Sequence, residues 1–174
     1  LNAEGDWDGD GTNDILIGAP GYSGVQAGGP LTENGAAFIY SGSNPSHLLE
    51  SLYGVQNGQR LGYDVCFLDD STGDGQAEYA TSSPFFTNLF GGLGQVTMYA
   101  GGTDTVLFNY LGNSGDLYGA RLASGSDVDG DGYDDLLIGA PGDDTQGPAL
   151  QDGRVEVVSG KTGLVIAEIL PIAS

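Results

Sequence analysis

The chain has 174 residues, 39% of them hydrophobic, and a formal net charge of -20 from 24 acidic and 4 basic side chains. Nucleic acid and anionic membrane surfaces would repel such a chain, so we expect neither nucleic-acid binding nor membrane insertion, and cations are its natural partners. The 32 glycines suit many tight turns and argue against long helices.

The first motif is an acidic loop that leads into an apolar strand, in the segment GDWDGDGTNDILIGAPG at 5–21. Asp6, Asp8, Asp10 and Asp14 stand at loop positions 1, 3, 5 and 9, and Thr12 at position 7 would offer only its backbone carbonyl. Carboxylates this close repel one another unless a hard cation lies among them. The loop therefore predicts a calcium site.

A weaker copy of the same loop lies in the middle of the chain. Its corresponding positions 1, 3, 5, 7 and 9 are Asp70, Thr72, Asp74, Gln76 and Glu78. Threonine replaces one carboxylate, and the final acid is longer by one methylene. The middle loop is thus an additional candidate calcium site with an altered ligand set.

The third motif, SDVDGDGYDDLLIGAPG at 126–142, is a near copy of the first. It places Asp127, Asp129, Asp131, Tyr133 and Asp135 at the same five positions. Oxygen-only ligands and the lack of a Cys/His set favour calcium over zinc or copper. Two calcium ions are expected in the outer loops, with the middle loop as a third candidate.

Apolar runs with period two predict the strands. In chain order they cover 15–19, 36–40 and 48–53, then 61–68, 78–82, 95–100 and 105–111, and finally 117–124, 135–140, 154–159 and 164–170. The first unit lacks the strand that precedes the loop in the other two. The sequence predicts about three four-stranded units, the first incomplete.

The order of these motifs resembles a known family. LGYDV or LYGARLASGSD, followed by DVDGDGYDDLLIGAPG and GRVEVVSG, is similar to the FG-GAP repeat of integrin alpha-subunit beta-propellers and related bacterial surface proteins. The resemblance implies an all-β propeller region over 1–174, with blades at 1–56, 57–112 and 113–174. It also implies calcium in the loop between the first and second strands of a blade.

Propellers typically need four to eight blades to protect their edges. Three blades are therefore expected to be part of a larger chain or of an oligomeric assembly, and a fibre built by head-to-tail contacts is one version of the second idea.

Other interpretations remain open for these features. An EF-hand loop would need a bidentate acid at position 12, which is Ile17 or Ile138 here, and solvated Asp-Gly turns would not explain the repeated ligand spacing. Phe85, Phe86 and Phe90 form either a ligand-binding cluster for sugar or protein, or a cluster packed over a propeller edge. Four carboxylates offer pairs for a glycosidase: Asp143, Asp144, Asp152 and Glu156.

The favoured function is a non-enzymatic, calcium-binding structural or adhesion module that contacts protein or glycan. Plain carboxylate loops suit compartments rich in calcium, so we expect an extracellular or cell-surface location. The alternatives are an ancillary propeller of a secreted hydrolase or lipase, and a self-assembling subunit of an extracellular fibre. No catalytic triad is apparent in the sequence, so enzymatic activity is not expected.

Overall fold

A computed structural model describes residues 1–26, 28–89, 91–143 and 153–170. In chain order the strands are β1 (Ile15–Ala19), β2 (Val25–Gln26), β3 (Gly29–Pro30), β4 (Ala36–Tyr40), β5 (Leu48–Tyr53), β6 (Val65–Phe67), β7 (Tyr79–Ser83), β8 (Thr87–Asn88), β9 (Gly91–Gly92), β10 (Gln95–Tyr99), β11 (Val106–Leu111), β12 (Arg121–Ala123), β13 (Leu136–Ala140), β14 (Arg154–Val158) and β15 (Val165–Ile169). The described residues contain no helix.

Three antiparallel sheets form the body of the molecule. The first sheet has the order β1-β4-β5, the middle sheet β11-β10-β7-β6 and the third sheet β12-β13-β14-β15. Asn2 makes a single antiparallel bridge to Leu16 at the free edge of β1, where the other sheets carry a full strand. The predicted all-β fold with four-stranded, propeller-type units is confirmed, and the blade limits at 56 and 112 stay a prediction.

The core lies between neighbouring sheets, and the middle sheet contributes to both halves of it. Side chains on one face of that sheet, including Phe67 and Tyr79, pack against Leu16 and Ile39 of the first sheet. Those on its other face pack against the third sheet; they include Cys66, Ala80, Val96 and Met98. Alternation along β6 and β7 therefore serves two interfaces, since successive side chains point to opposite faces.

Cys66 belongs to this second interface. Burial raises the pKa of its thiol to about 12, so the thiol is neutral at physiological pH. The residue is a small packed side chain rather than a nucleophile.

Predicted strands and observed strands agree best in the first sheet, where β1, β4 and β5 have the predicted limits. The predicted strands 61–68 and 117–124 are longer than the observed strands, which start only at Val65 and Arg121. Left-handed backbone at Arg60 (φ 56) and Leu117 (φ 54) begins a turn in each place. The short hairpins β2–β3, after β1, and β8–β9, after β7, were not predicted.

Candidate cation site

The first loop wraps its backbone around two aspartates. Asp6 accepts hydrogen bonds from the backbone N–H groups of Gly9 (2.9 Å), Asp10 (3.1 Å) and Gly11 (2.8 Å). The glycines adopt φ values of 75° and 88°, which residues with a Cβ resist. The loop is therefore closed from inside by the side chain at position 1.

Asp14, at position 9, closes the other side of the loop. It is fully buried and accepts hydrogen bonds from Trp7 (2.8 Å), Asp8 (3.3 Å) and, across the sheet, Gly42 (2.9 Å). A buried carboxylate needs such partners, because desolvation of a charge is costly.

Three carboxylates of this loop converge. One oxygen from each of Asp6, Asp8 and Asp14 lies within 4.8 Å of the others. The pKa of Asp8 is raised, first by burial and then by the nearby charges of Asp14, Asp10 and Asp6. A backbone hydrogen bond from the N–H of Asp10 opposes this rise. Asp10 is not one of these three, and its carboxylate accepts hydrogen bonds from the Ser43 hydroxyl (2.8 Å) and the Thr12 N–H (2.8 Å).

The third loop repeats this geometry. Asp127, Asp129 and Asp135 bring one oxygen each within 4.8 Å of the others. The buried Asp135 accepts hydrogen bonds from Val128 (2.7 Å) and Gly160 (3.3 Å). Asp131 accepts the N–H of Tyr133 (3.0 Å), as Asp10 accepts that of Thr12 in the first loop.

Both triads fit a calcium ion by their chemistry. They consist of carboxylate oxygens, which calcium prefers, and they keep negative charges together at distances where a bound cation would offset the repulsion. The position that would be the twelfth EF-hand ligand is a strand residue in each loop, Ile17 in β1 and the buried Ile138 in β13. The geometry is therefore not that of an EF-hand.

The middle loop has the same backbone hydrogen bonds but a different carboxylate arrangement. Asp70 accepts three N–H groups, from Gly73 (2.6 Å), Asp74 (3.1 Å) and Gly75 (2.7 Å). Although burial alone would raise the pKa of Asp70, these bonds hold it below its usual value. Among the described residues, triads of acidic or other metal-binding side chains converge only in the two outer loops.

Glu78 replaces the position-9 aspartate of the middle loop and folds back on the loop. It is fully buried and accepts hydrogen bonds from the N–H groups of Ser71 (3.0 Å) and Thr72 (2.9 Å). Burial raises the pKa of Glu78, and these two N–H groups oppose that rise. The longer side chain thus preserves loop closure, and Gln76 reaches sideways to the Asp8 carbonyl (3.4 Å) of the first loop.

The residues that reach these loops from the turns after β4 and β14 were not predicted from the sequence. Gly42 and Ser43 are 28 and 33 positions away from the aspartates they contact. The repeated Ser-Gly pair at 41–42 and 159–160 was the available signal.

The predicted aromatic cluster is only partly described. Phe85 is half-exposed, stacks edge-on against Tyr63 with 5.7 Å between ring centroids, and has the Arg60 guanidinium 4.9 Å from its own ring centroid. Phe86 is partly buried, and Phe90 lies outside the described residues.

The carboxylates weighed for a glycosidase meet an arginine instead. Arg154 forms ion pairs with Asp143 (2.6 Å), Glu156 (3.1 Å), Glu168 (2.9 Å) and Asp116 (3.5 Å). We call these five residues the Arg154 cluster. Asp144 and Asp152 lie outside the described residues.

Within the described part of the chain there is no helix long and apolar enough to cross a membrane.

Comparison with known proteins gives one consistent result. The FG-GAP repeat family model matches residues 118–158. The chain is 30% identical over 147 residues to human integrin alpha-IIb and 34% identical over 157 residues to integrin alpha-5 of Xenopus laevis. These alignments cover 79% and 80% of the chain but 14% of either relative, so the chain spans about a seventh of the length of the curated relatives it matches.

Proposed function

Because the chain belongs to the FG-GAP repeat proteins and is similar to integrin alpha subunits, we propose that it is a calcium-stabilised module that serves adhesion at the cell surface. The observation that carries the calcium part is the pair of carboxylate triads, each within 4.8 Å, in two loops of the same design. Calcium would bind Asp6, Asp8 and Asp14 in one loop and Asp127, Asp129 and Asp135 in the other. It would supply positive charge that fixes the loops.

The remaining loop positions enter this proposal as supporting ligands. Asp10, Thr12, Asp131 and Tyr133 complete the outer loops through a carboxylate or a backbone carbonyl. In the middle loop, calcium would bind through Asp70, Asp74 and Glu78, with Thr72 as a weak oxygen ligand and Gln76 through its carbonyl. That site is proposed as the weakest because it lacks a carboxylate at position 3.

The proposed partners are extracellular proteins or glycans, and no enzymatic step is part of the proposal. The similarity to integrin alpha subunits favours an extracellular or cell-surface location and a protein partner. The half-exposed Phe85, with Phe86 and Phe90 beside it in sequence, is the proposed contact for a sugar ring or an apolar side chain.

A second candidate is self-assembly into an oligomer or fibre. Apolar side chains are exposed on the outermost strands of the middle and third sheets, including Val106, Leu111, Val165 and Ile169. An unpaired edge with apolar side chains can pair with another copy. The ancillary role beside a hydrolase or lipase domain has no comparable support in the described residues.

Calorimetric titration with calcium and with zinc tests the metal assignment. We expect calcium binding at two sites, and a third weaker one, with dissociation constants of about 0.1 to 1 mM. Asp8→Asn should remove one of the two stronger sites and Asp129→Asn the other, whereas the control Glu33→Gln removes a charge far from the loops and should change neither. Tight zinc binding without a calcium response would refute the proposal.

Binding to arrays of extracellular matrix proteins and glycans tests the adhesion part. The protein should bind in calcium and lose binding in chelator, and Phe85→Ser should weaken binding without altering calcium affinity. Binding that is identical in calcium and chelator would separate adhesion from the metal sites.

A further inference from the structure

The turns that follow β4, β10 and β14 each approach the acidic loop of the same sheet. Gly42 in the first sheet donates its N–H to Asp14 (2.9 Å), and Gly160 in the third sheet donates to Asp135 (3.3 Å). A Cβ on either glycine would overlap a backbone carbonyl of the loop. The residue after the glycine is therefore held against the loop, and we call its place the turn position.

The outer loops have different side chains at the turn position. In the first sheet it is Ser43, whose hydroxyl donates to Asp10 at 2.8 Å. In the third sheet it is Lys161, whose ammonium nitrogen lies 4.1 Å from the ring centroid of Tyr133. Asp10 and Tyr133 stand at positions 5 and 7 of their loops, so one site faces a neutral hydroxyl and the other a positive charge.

The middle sheet has Gly102 at the same place, after Gly101. A Cβ at Gly102 would overlap the side-chain amide of Gln76, at position 7 of the middle loop. The approach of the turn to its loop thus recurs in all three sheets, and only the side chain that it presents changes.

We propose that the turn position sets the calcium affinity of each outer loop, with Ser43 strengthening the first site and Lys161 weakening the third. This rests on the proposed function, because it takes calcium as the ion that occupies both triads. Ser43 acts as a positioning residue, since its hydrogen bond fixes the orientation of Asp10. Lys161 acts through charge, because a fixed ammonium repels an arriving divalent cation.

The expected difference follows from the size of these two effects. A unit charge just beyond the ligands of a divalent ion, screened by solvent, changes the affinity for that ion by roughly three- to tenfold at low ionic strength. Loss of an outer hydrogen bond to a ligand carboxylate adds a factor of about two to ten. The first loop should therefore bind calcium at least about threefold more tightly than the third at low ionic strength.

Backbone amides offer a separate readout for each loop. The glycine at position 6 donates its N–H to the position-1 aspartate in every loop: Gly11 at 2.8 Å, Gly75 at 2.7 Å and Gly132 at 2.9 Å. Amide resonances of these glycines, followed by NMR during a calcium titration, report the half-saturation of each site.

Substitutions at the turn position supply the test. Lys161→Met keeps the aliphatic stem on Tyr133 and removes the charge, so it should tighten the third site about three- to tenfold and leave Gly11 unchanged. Ser43→Ala should weaken the first site about two- to tenfold, and Ser43→Lys should weaken it further. In the unaltered protein, added sodium chloride should reduce the difference in calcium affinity between the two sites. This measurement tests the charge effect even where a variant does not fold.

The outcomes distinguish a failure of this inference from a failure of the proposed calcium binding. The inference is supported if the Gly11 resonance reaches half-saturation at a lower calcium concentration than the Gly132 resonance, and if Lys161→Met removes this difference. Equal or reversed affinities, or an unchanged third site in Lys161→Met, overturn it while calcium binding itself stands. If no glycine resonance responds to calcium, the proposed function fails and the inference fails with it.

Discussion

The third sheet gathers carboxylates at both ends of the same strands but offsets their charge in two different ways. At the start of β13, Asp127, Asp129 and Asp135 bring one oxygen each within 4.8 Å of the others, and none of the three forms an ion pair with another described residue. Towards its other end, Arg154 lies opposite Ala140 and forms ion pairs with Asp116, Asp143 and Glu156, and its side chain is only 10% exposed. The five residues of β13 separate the two places by about 14 Å.

The difference shows where each region obtains its countercharge. In the Arg154 cluster the chain provides the cation, and the hydroxyl of Tyr118 adds a hydrogen bond to Glu156 (2.8 Å). Within the two carboxylate triads the side chains are all anionic and the hydrogen-bond donors described for them are backbone N–H groups, so a cation among them has to come from solution. Stability of the cluster should thus be independent of calcium, and stability of the loops should depend on it.

Arg154→Met should give the largest effect. It leaves Asp116 and Asp143, each 2% exposed at the side chain, as buried charges without their partner, which costs about 3 to 5 kcal/mol of unfolding free energy. Chemical denaturation should give the same loss in calcium and in chelator. A loss confined to chelator would contradict the independence of the two regions.

The same variant has a defined pH dependence. Burial raises the pKa of Asp116 and the charge of Arg154 opposes that rise, so removal of Arg154 raises this pKa further. A carboxyl with a raised folded-state pKa contributes stability below its unfolded pKa and loses it as pH rises through the folded pKa. The deficit of Arg154→Met should therefore shrink as pH falls from 7 towards 4, and a deficit that grows would contradict this explanation.

Removal of calcium should give the next largest effect. At about 1 mM calcium, each site with a dissociation constant of about 0.1 to 1 mM contributes about 0.4 to 1.4 kcal/mol. Two sites together correspond to a fall in melting temperature of about 2 to 10 °C in chelator. The melting temperature and the native mass are measured in calcium, in chelator, and in chelator with sodium chloride. We expect the melting temperature to fall, and any multimer to loosen, in both chelator samples.

Thr72→Asp should convert the middle loop towards the outer type. The substitution places a carboxylate at position 3 beside Asp70, where the Thr72 hydroxyl now contacts that residue at 3.4 Å. We expect a gain of about 0.4 to 1.4 kcal/mol at roughly 1 mM calcium and a small loss in chelator, because the added charge is offset only by the ion. Unchanged stability in both conditions would mean that position 3 of this loop does not face the site.

Local features of the fold could be read from the sequence because their causes are local. The limits of β1, β4 and β5 follow from apolar alternation bounded by turn residues, and within each loop the aspartates accept bonds from N–H groups two to seven residues away. The left-handed backbone of Arg60 and Leu117 has no such signature, because neither residue type favours that conformation. It shortened two predicted strands.

Contacts between distant segments were beyond the sequence. Ser43 reaches Asp10 from 33 positions away, and Arg154 of β14 meets Asp116, which precedes β12 in the chain. The acidic composition indicated cation binding in general but gave no means of separating carboxylates that bind Arg154 from those that converge in a loop.

Glu33→Gln should change the free energy of unfolding least, and it serves as the exposed ion pair with which the buried Arg154 cluster is compared. Arg60 donates two hydrogen bonds to the same Glu33 oxygen, at 2.6 and 3.2 Å, but the two side chains are 39% and 48% exposed, so solvent screens the pair. Glutamine keeps an oxygen that accepts from Arg60, and the stacking of Arg60 on Phe85 does not depend on the charge of Glu33. We expect a loss within about 0.5 kcal/mol by chemical denaturation, equal in calcium and chelator. A loss above about 1 kcal/mol would mean that exposed ion pairs contribute as much here as a calcium site, and that burial is not what separates the Arg154 cluster from the surface.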